Sequence, residues 1–208
     1  METMEFLRRH PRLFHLAHGD AWPSLREHGL LTTKSLVQRS DLAATDQETL
    51  LTQHRPAAVT LPVPGLSSVV LRDQGPGDMA MLESALTGGM SVAEWLGQLS
   101  SMVFLFPDEA TLSALYAKDK LEPAVVVELE ARGLVDEYGA LIRLASINTR
   151  ATVHKSASRG RETFQGIRQF DAKRKVKEVA VLDDIPDLAK HVRKAERWDP
   201  DGARTELT

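Results

Sequence analysis

Three groups of side chains in this sequence stand where they could do chemistry. The first is a carboxylate on a strand. Glu178 lies in Lys175-Val176-Lys177-Glu178-Val179-Ala180-Val181, where it shares a face with Val176 and Ala180. A carboxylate among apolar neighbours costs free energy unless it is paired or working. Two readings are open: a fixed negative charge presented to a substrate, or an edge-strand glutamate paired with Lys175 or Lys177. The second is an imidazole. In Leu13-Phe14-His15-Leu16-Ala17-His18, His15 shares a face with Leu13 and Ala17. It is either a core histidine with a satisfied ring or a group offered to a ligand. The third is a run of cations. Between Arg150 and Lys177 nine Lys or Arg face only Glu162 and Asp171. Such an excess attracts phosphates, although a solvated loop has the same composition.

Other chemistries find no footing. Glycine-x-serine elbows, His-Glu-x-x-His and P-loops are absent from the sequence. Gly75-Pro76-Gly77-Asp78-Met79-Ala80 spells a dinucleotide-like pattern, but proline fills its second slot and it reads as a tight turn. His10, His15, His18 and His28 cluster early, without a cysteine or a carboxylate at ligand spacing, so no metal is expected. With no cysteine in its 208 residues, the chain has no disulfide and no thiolate ligand. A net charge of −3 argues against a bulk polyelectrolyte binder. The acidic opening Met1-Glu2-Thr3-Met4-Glu5 does not resemble a secretory signal, and no apolar run is long enough to span a bilayer. The expectation is a cytoplasmic protein with no membrane partner.

These groups need a scaffold. Strands are expected at Leu13–Ala17, Ser68–Arg72, Met102–Phe106, Ala124–Leu129, Leu141–Ile147 and, last, Val176–Leu182. A helix capped by Asp20 should carry Leu25 and end at Gly29, and Leu36–Leu51 should be helical. Pro56 to Gly65, with three prolines, should be irregular. Asp78, the capping box Ser91-Val92-Ala93-Glu94, and Asp108 each open a helix. Asp184 is expected to cap a final helix from Ile185 to about Arg197. Helices and strands mix without steady βαβ alternation, which favours an α+β fold. One domain should span residues 1–197, followed by a frayed polar tail at 198–208.

The pattern Phe14-His15-Leu16-Ala17…Leu25…His28-Gly29-Leu30 resembles the opening of the DarT-like branch of the ADP-ribosyltransferase superfamily. Glu178-Val179-Ala180-Val181 with Ile185-Pro186 is similar to the strand carrying that branch's catalytic glutamate. Similar sequences also form a bacterial group of about this length with no assigned activity. The resemblance implies a split β-sheet core with flanking helices that clasps NAD, a co-substrate. On it, His15 contacts the NAD ribose, and Glu178 hydrogen-bonds the nicotinamide ribose and activates the acceptor. Arg72 matches, at altered spacing, the catalytic arginine that steadies the pyrophosphate or the transition state. Phe104 and Phe106 lie where the superfamily places a residue near nicotinamide. Ala17 stands where many members carry threonine, so a hydroxyl contact to the cofactor is missing there.

The resemblance also puts a substrate-reading loop in the basic run. Arg159, Arg161 and Arg168, with Phe164 among them and Phe170 just after, would hold a nucleic-acid or nucleotide acceptor by charge and stacking. Asn148, Thr149 and Thr152 precede this run and are expected to line the same cleft. The implied reaction is NAD-dependent transfer of ADP-ribose, to a nucleic acid, nucleotide or small molecule, with release of nicotinamide. The protein would be toxin-like, and its further partner would be an antitoxin or other regulator. Two alternatives remain: a non-catalytic member that binds a nucleotide or partner, and an NAD-dependent RNA 2′-phosphotransferase. The latter relies on basic residues rather than a glutamate.

Overall fold

The structure, a computed structural model, describes residues 1–66, 69–72, 74, 77–117, 122–149 and 157–208. The turn at Gly75-Pro76 and the position of Thr152 lie outside them. A short helix α1 (Thr3–Arg9) buries Phe6 and Leu7 and leads into strand β1 (Arg12–His18). Helix α2 (Trp22–His28) follows, with Ala21 rather than Asp20 at its cap and Pro23 in its first turn. Gly29 ends it at φ 78°, and a Cβ there would lie 2.1 Å from the Ile185 carbonyl oxygen. That approach is needed because Leu30 and Ile185 exchange both backbone hydrogen bonds. Glycine meets both demands, the left-handed φ and the missing side chain.

The stretch expected as one helix from Leu36 to Leu51 is two, α3 (Thr33–Gln38) and α4 (Ala44–Thr52). Ser40 breaks it by turning its hydroxyl back onto the Val37 carbonyl. Strands β2 (Val59–Leu61) and β3 (Val69–Leu71) pair as a hairpin over the buried Val37, Leu61, Val63 and Leu71. The first of these lies in the stretch that its prolines mark as irregular. The caps at Asp78 and Ser91 open α5 (Met79–Ala85) and α6 (Val92–Ser100), the latter with a full capping box. Strand β4 (Val103–Leu105), helix α7 (Glu109–Tyr116) capped by Asp108, and strand β5 (Ala124–Glu130) follow the sequence expectation.

The C-terminal third departs from it. Helix α8 (Ala131–Tyr138) leads to β6 (Ile142–Ala145), the two-residue β7 (Gln165–Gly166) and β8 (Glu178–Val181). The expected final helix is instead a 3-10 turn at Leu188–Lys190 and a strand, β9 (Val192–Trp198). Asp184 caps no helix there; its Oδ1 accepts the Thr32 amide at 2.7 Å and so anchors the start of α3. The tail is not frayed. It forms β10 (Arg204–Glu206) on β9, and Trp198 is buried.

The strands form two four-stranded antiparallel sheets, ordered β1-β5-β9-β10 and β4-β8-β6-β7. The fold is thus α+β with antiparallel sheets. The largest core joins both sheets: Leu13, Val125, Val127 and Leu129 from the first, and Val103, Leu105, Ile142, Leu144, Val179 and Val181 from the second. The sheets meet at β4. Over Val103–Leu105 it pairs with β8, and one residue later Phe106 bridges to Phe14 of β1 by two backbone hydrogen bonds of 2.7 and 3.0 Å. At that point β1 and β8 part. No helix of the described residues is long and apolar enough to cross a membrane.

Candidate functional site

Glu178 opens β8, and strand alternation puts it on the same face as Ala180. That face carries the second core, with Trp95, Phe164, Ala145 and Ala180. Phe104 lies opposite Ala180 in register, so it sits diagonally from Glu178 at about 7–8 Å between Cα atoms. Thr149 holds both oxygens of the Glu178 carboxylate. The Thr149 amide donates to Oε1 at 3.1 Å and the Thr149 hydroxyl donates to Oε2 at 2.6 Å. Two donors from a single residue fix the plane of the carboxylate.

Thr149 is itself fixed from behind. Arg159 is 2% exposed. Its Nε donates to the Thr149 carbonyl at 3.2 Å, its Nη2 to the Asn148 carbonyl at 3.1 Å and its Nη1 to the Ala157 carbonyl at 2.6 Å. Burial pushes the Arg159 pKa below its ordinary value, and the nearby Glu178 charge pushes it back up. A guanidinium out of water needs both a counter-charge and acceptors for its fork, and here it has them. The Arg159 backbone bridges Leu86 beyond α5, with the Thr87 amide on the Arg159 carbonyl at 2.8 Å. Gly160 lets Thr87 approach, since a Cβ there would lie 2.5 Å from the Thr87 hydroxyl oxygen.

His15 sits on β1 between Leu13 and Ala17, half-buried and across from Val127. Its Nδ1 lies 3.0 Å from the Phe104 carbonyl oxygen. A carbonyl only accepts, so Nδ1–H donates and Nε2 is the acceptor of the neutral ring. The bond crosses from the first sheet to the second beside the point where they part. Phe104 therefore lies between the imidazole of one sheet and the carboxylate of the other.

The remaining sequence candidates distribute as follows. Thr149 joins Glu178, and the Asn148 carbonyl beside it accepts from Arg159. Ala17 packs on the main core, and Phe106 packs with Phe14, Leu112 and Tyr116. Arg72 reaches the end of β1 rather than Glu178: its Nη1 lies 3.8 Å from Glu122, whose carboxylate is 3.9 Å from His18. Arg159 is not a surface cation. The expectation that it faces an acceptor is corrected by its burial against three carbonyls. Phe164 and Phe170 are likewise not available for stacking on bases. Phe164 is sandwiched between Trp95, at 5.8 Å, and Phe104, at 6.1 Å between ring centroids, and Phe170 is in the main core. Arg161 and Arg168 are exposed, together with Lys173, Arg174, Lys175 and Lys177.

Among the described residues no group of three or more His, Asp or Glu is arranged to hold a metal ion. Sequence reasoning named Thr149 only as a neighbour of the cleft and not as the residue holding Glu178. A Thr ahead of a basic run carries no such signal. The small residues Ala157, Ser158 and Gly160 around Arg159 do hint that its side chain has room to turn inward.

Compared with curated proteins and with solved structures, the chain gives no match. Residues 11–192, which include every candidate above, match one family model. The chain belongs to that family, a family of unknown function, DUF7002.

Proposed function

We propose that NAD binds beside the junction of β1, β4 and β8 and that the chain transfers ADP-ribose to an acceptor with release of nicotinamide. The observation carrying this reading is the carboxylate of Glu178, held in one plane by Thr149 beside the junction where His15 of the other sheet is anchored to Phe104. The arrangement suits bond cleavage at a sugar carbon. As the C1′–N bond breaks, its electron pair leaves with nicotinamide and positive charge develops on the ribose. A fixed carboxylate stabilises that charge, because its orientation costs nothing at the moment of reaction. The acceptor's nucleophilic atom then bonds to C1′ and its proton passes to Glu178. His15, anchored to Phe104, is the group this reading assigns to the ribose.

Titrating NAD into isotope-labelled protein tests the location. The expected result is movement of the Phe104, Thr149 and Glu178 amide resonances. Movement confined to other parts of the fold contradicts it. A second reading, a nucleotide binder without turnover, is favoured by Ala17, which packs on the core and offers no hydroxyl. It predicts the same resonance changes with no free nicotinamide.

The acceptor is a polyanion on this reading, and it is held by the exposed cations rather than by Arg159. Neutralising Arg161 and Arg168 together should weaken acceptor modification more than NAD cleavage. It should also lower the salt slope of acceptor binding by about one for each phosphate left without its cation. Equal losses of both activities would argue against an acceptor role.

A further inference from the structure

We infer that Thr149 and Arg159 are positioning residues for Glu178, with Arg159 pinning the Asn148-Thr149 backbone and Thr149 setting the plane of the carboxylate. This rests on the NAD-cleaving role proposed for Glu178. Three observations support it. Both carboxylate oxygens take a donor from the same residue, at 3.1 and 2.6 Å. Thr149 is 1% exposed, so its hydroxyl has no competing water shell. The backbone presenting those donors is tied through consecutive carbonyls, Asn148 and Thr149, to one buried guanidinium. A planar fork holding two successive peptide units restrains their rotation, which a lysine ammonium does not reproduce.

The chain of contacts has a direction. The Arg159 backbone is fixed to the end of α5 by the Ala85 carbonyl and to the segment beyond it by the Thr87 amide, both at 2.8 Å. The guanidinium touches the carbonyl side of Thr149, while the amide and hydroxyl of Thr149 face Glu178. Arg159 therefore acts on the carboxylate through Thr149. Neither residue needs to contact the substrate.

The test compares the wild type with Thr149→Val, Thr149→Ser and Arg159→Lys. Nicotinamide release is followed over a range of NAD concentrations, and hydrogen exchange is followed at the Thr149 amide. Thr149→Val keeps the shape and the amide but loses the hydroxyl. Its kcat should fall roughly ten- to hundredfold while KM for NAD changes less than about threefold, because the missing bond orients a charge used in the transition state. Thr149→Ser should recover most of that activity. Arg159→Lys should speed Thr149 amide exchange by about tenfold or more and lower kcat with it. A wild-type kcat in Thr149→Val, or unchanged exchange in Arg159→Lys, overturns the inference. If Arg159→Lys does not fold, the Thr149 pair still decides. A wild-type chain that releases no nicotinamide counts against the NAD reading alone. Exchange then judges the clamp, since Glu178→Ala and Arg159→Lys must both deprotect the Thr149 amide.

Discussion

Glu178→Gln is expected to fold, with a lowered thermal midpoint because buried Arg159 loses its counter-charge, and to lose nearly all release of nicotinamide. The amide is nearly isosteric with the carboxylate, and its oxygen can still accept from Thr149. What goes is the negative charge. Removing one preorganised electrostatic group typically costs about 3–4 kcal/mol of transition-state stabilisation, roughly a hundred- to thousandfold in rate. Glutamine also cannot take the acceptor's proton, so transfer should suffer at least as much as cleavage. Because Glu178 is half-buried at the start of β8, next to buried Val179, Ala180 and Val181, the thermal midpoint is the control. A variant that is still folded at the assay temperature, with abolished turnover, fits the account. One that keeps wild-type NAD cleavage removes Glu178 from the mechanism.

The second large effect is on stability, and it lies where the sequence suggested a loose tail. Trp198→Ala should destabilise the fold by about 3–5 kcal/mol, the usual cost of deleting a buried large aromatic. Trp198 is 3% exposed. Its carbonyl accepts the Tyr116 hydroxyl at 2.9 Å, its ring meets Tyr116 edge-on at 5.5 Å, and the Arg204 guanidinium lies 3.8 Å over its face. It also stands opposite both Ala124 and Arg204, so it joins β5, β9 and β10. Urea unfolding measures the effect. A loss below about 1 kcal/mol would mean that the end of the chain contributes little to the first sheet.

These two residues show how unevenly the sequence reveals the structure. β1, β4, β5 and β8 are legible because apolar residues of strand type fill them, and the α5, α6 and α7 starts are legible because Asp78, Ser91 and Asp108 cap them. β9 is hidden because four of its seven residues, Arg193, Lys194, Glu196 and Arg197, are charged. In the sheet those charges find partners: Arg193 with Glu128 and Glu130 across the strands, Lys194 with Glu196 along β9, and Arg197 with Asp199 beyond its end. Such pairing satisfies a charged strand as well as a solvated helix would, and local pattern does not separate the two.

The candidate site divides along similar lines. Glu178 and His15 stand out because each is a polar group on an otherwise apolar strand face. Arg159 does not, since a guanidinium within a charge run reads as solvated. Its burial follows from the Asn148, Thr149 and Ala157 carbonyls, all within eleven residues of it, folding back around the guanidinium beside Glu178, and the composition of the run does not show that turn. Arg72 illustrates the reverse. It fits a role by resemblance, yet it lies by Glu122 and His18 at the end of β1.

Incubating the wild-type chain with NAD labelled in its nicotinamide ring, and separating free from bound label, measures the central claim. The account predicts that free nicotinamide accumulates in proportion to protein and time, and that Glu178→Gln stops it. Label that stays in intact NAD, with no resonance of Phe104, Thr149 or Glu178 moved by the dinucleotide, would contradict it.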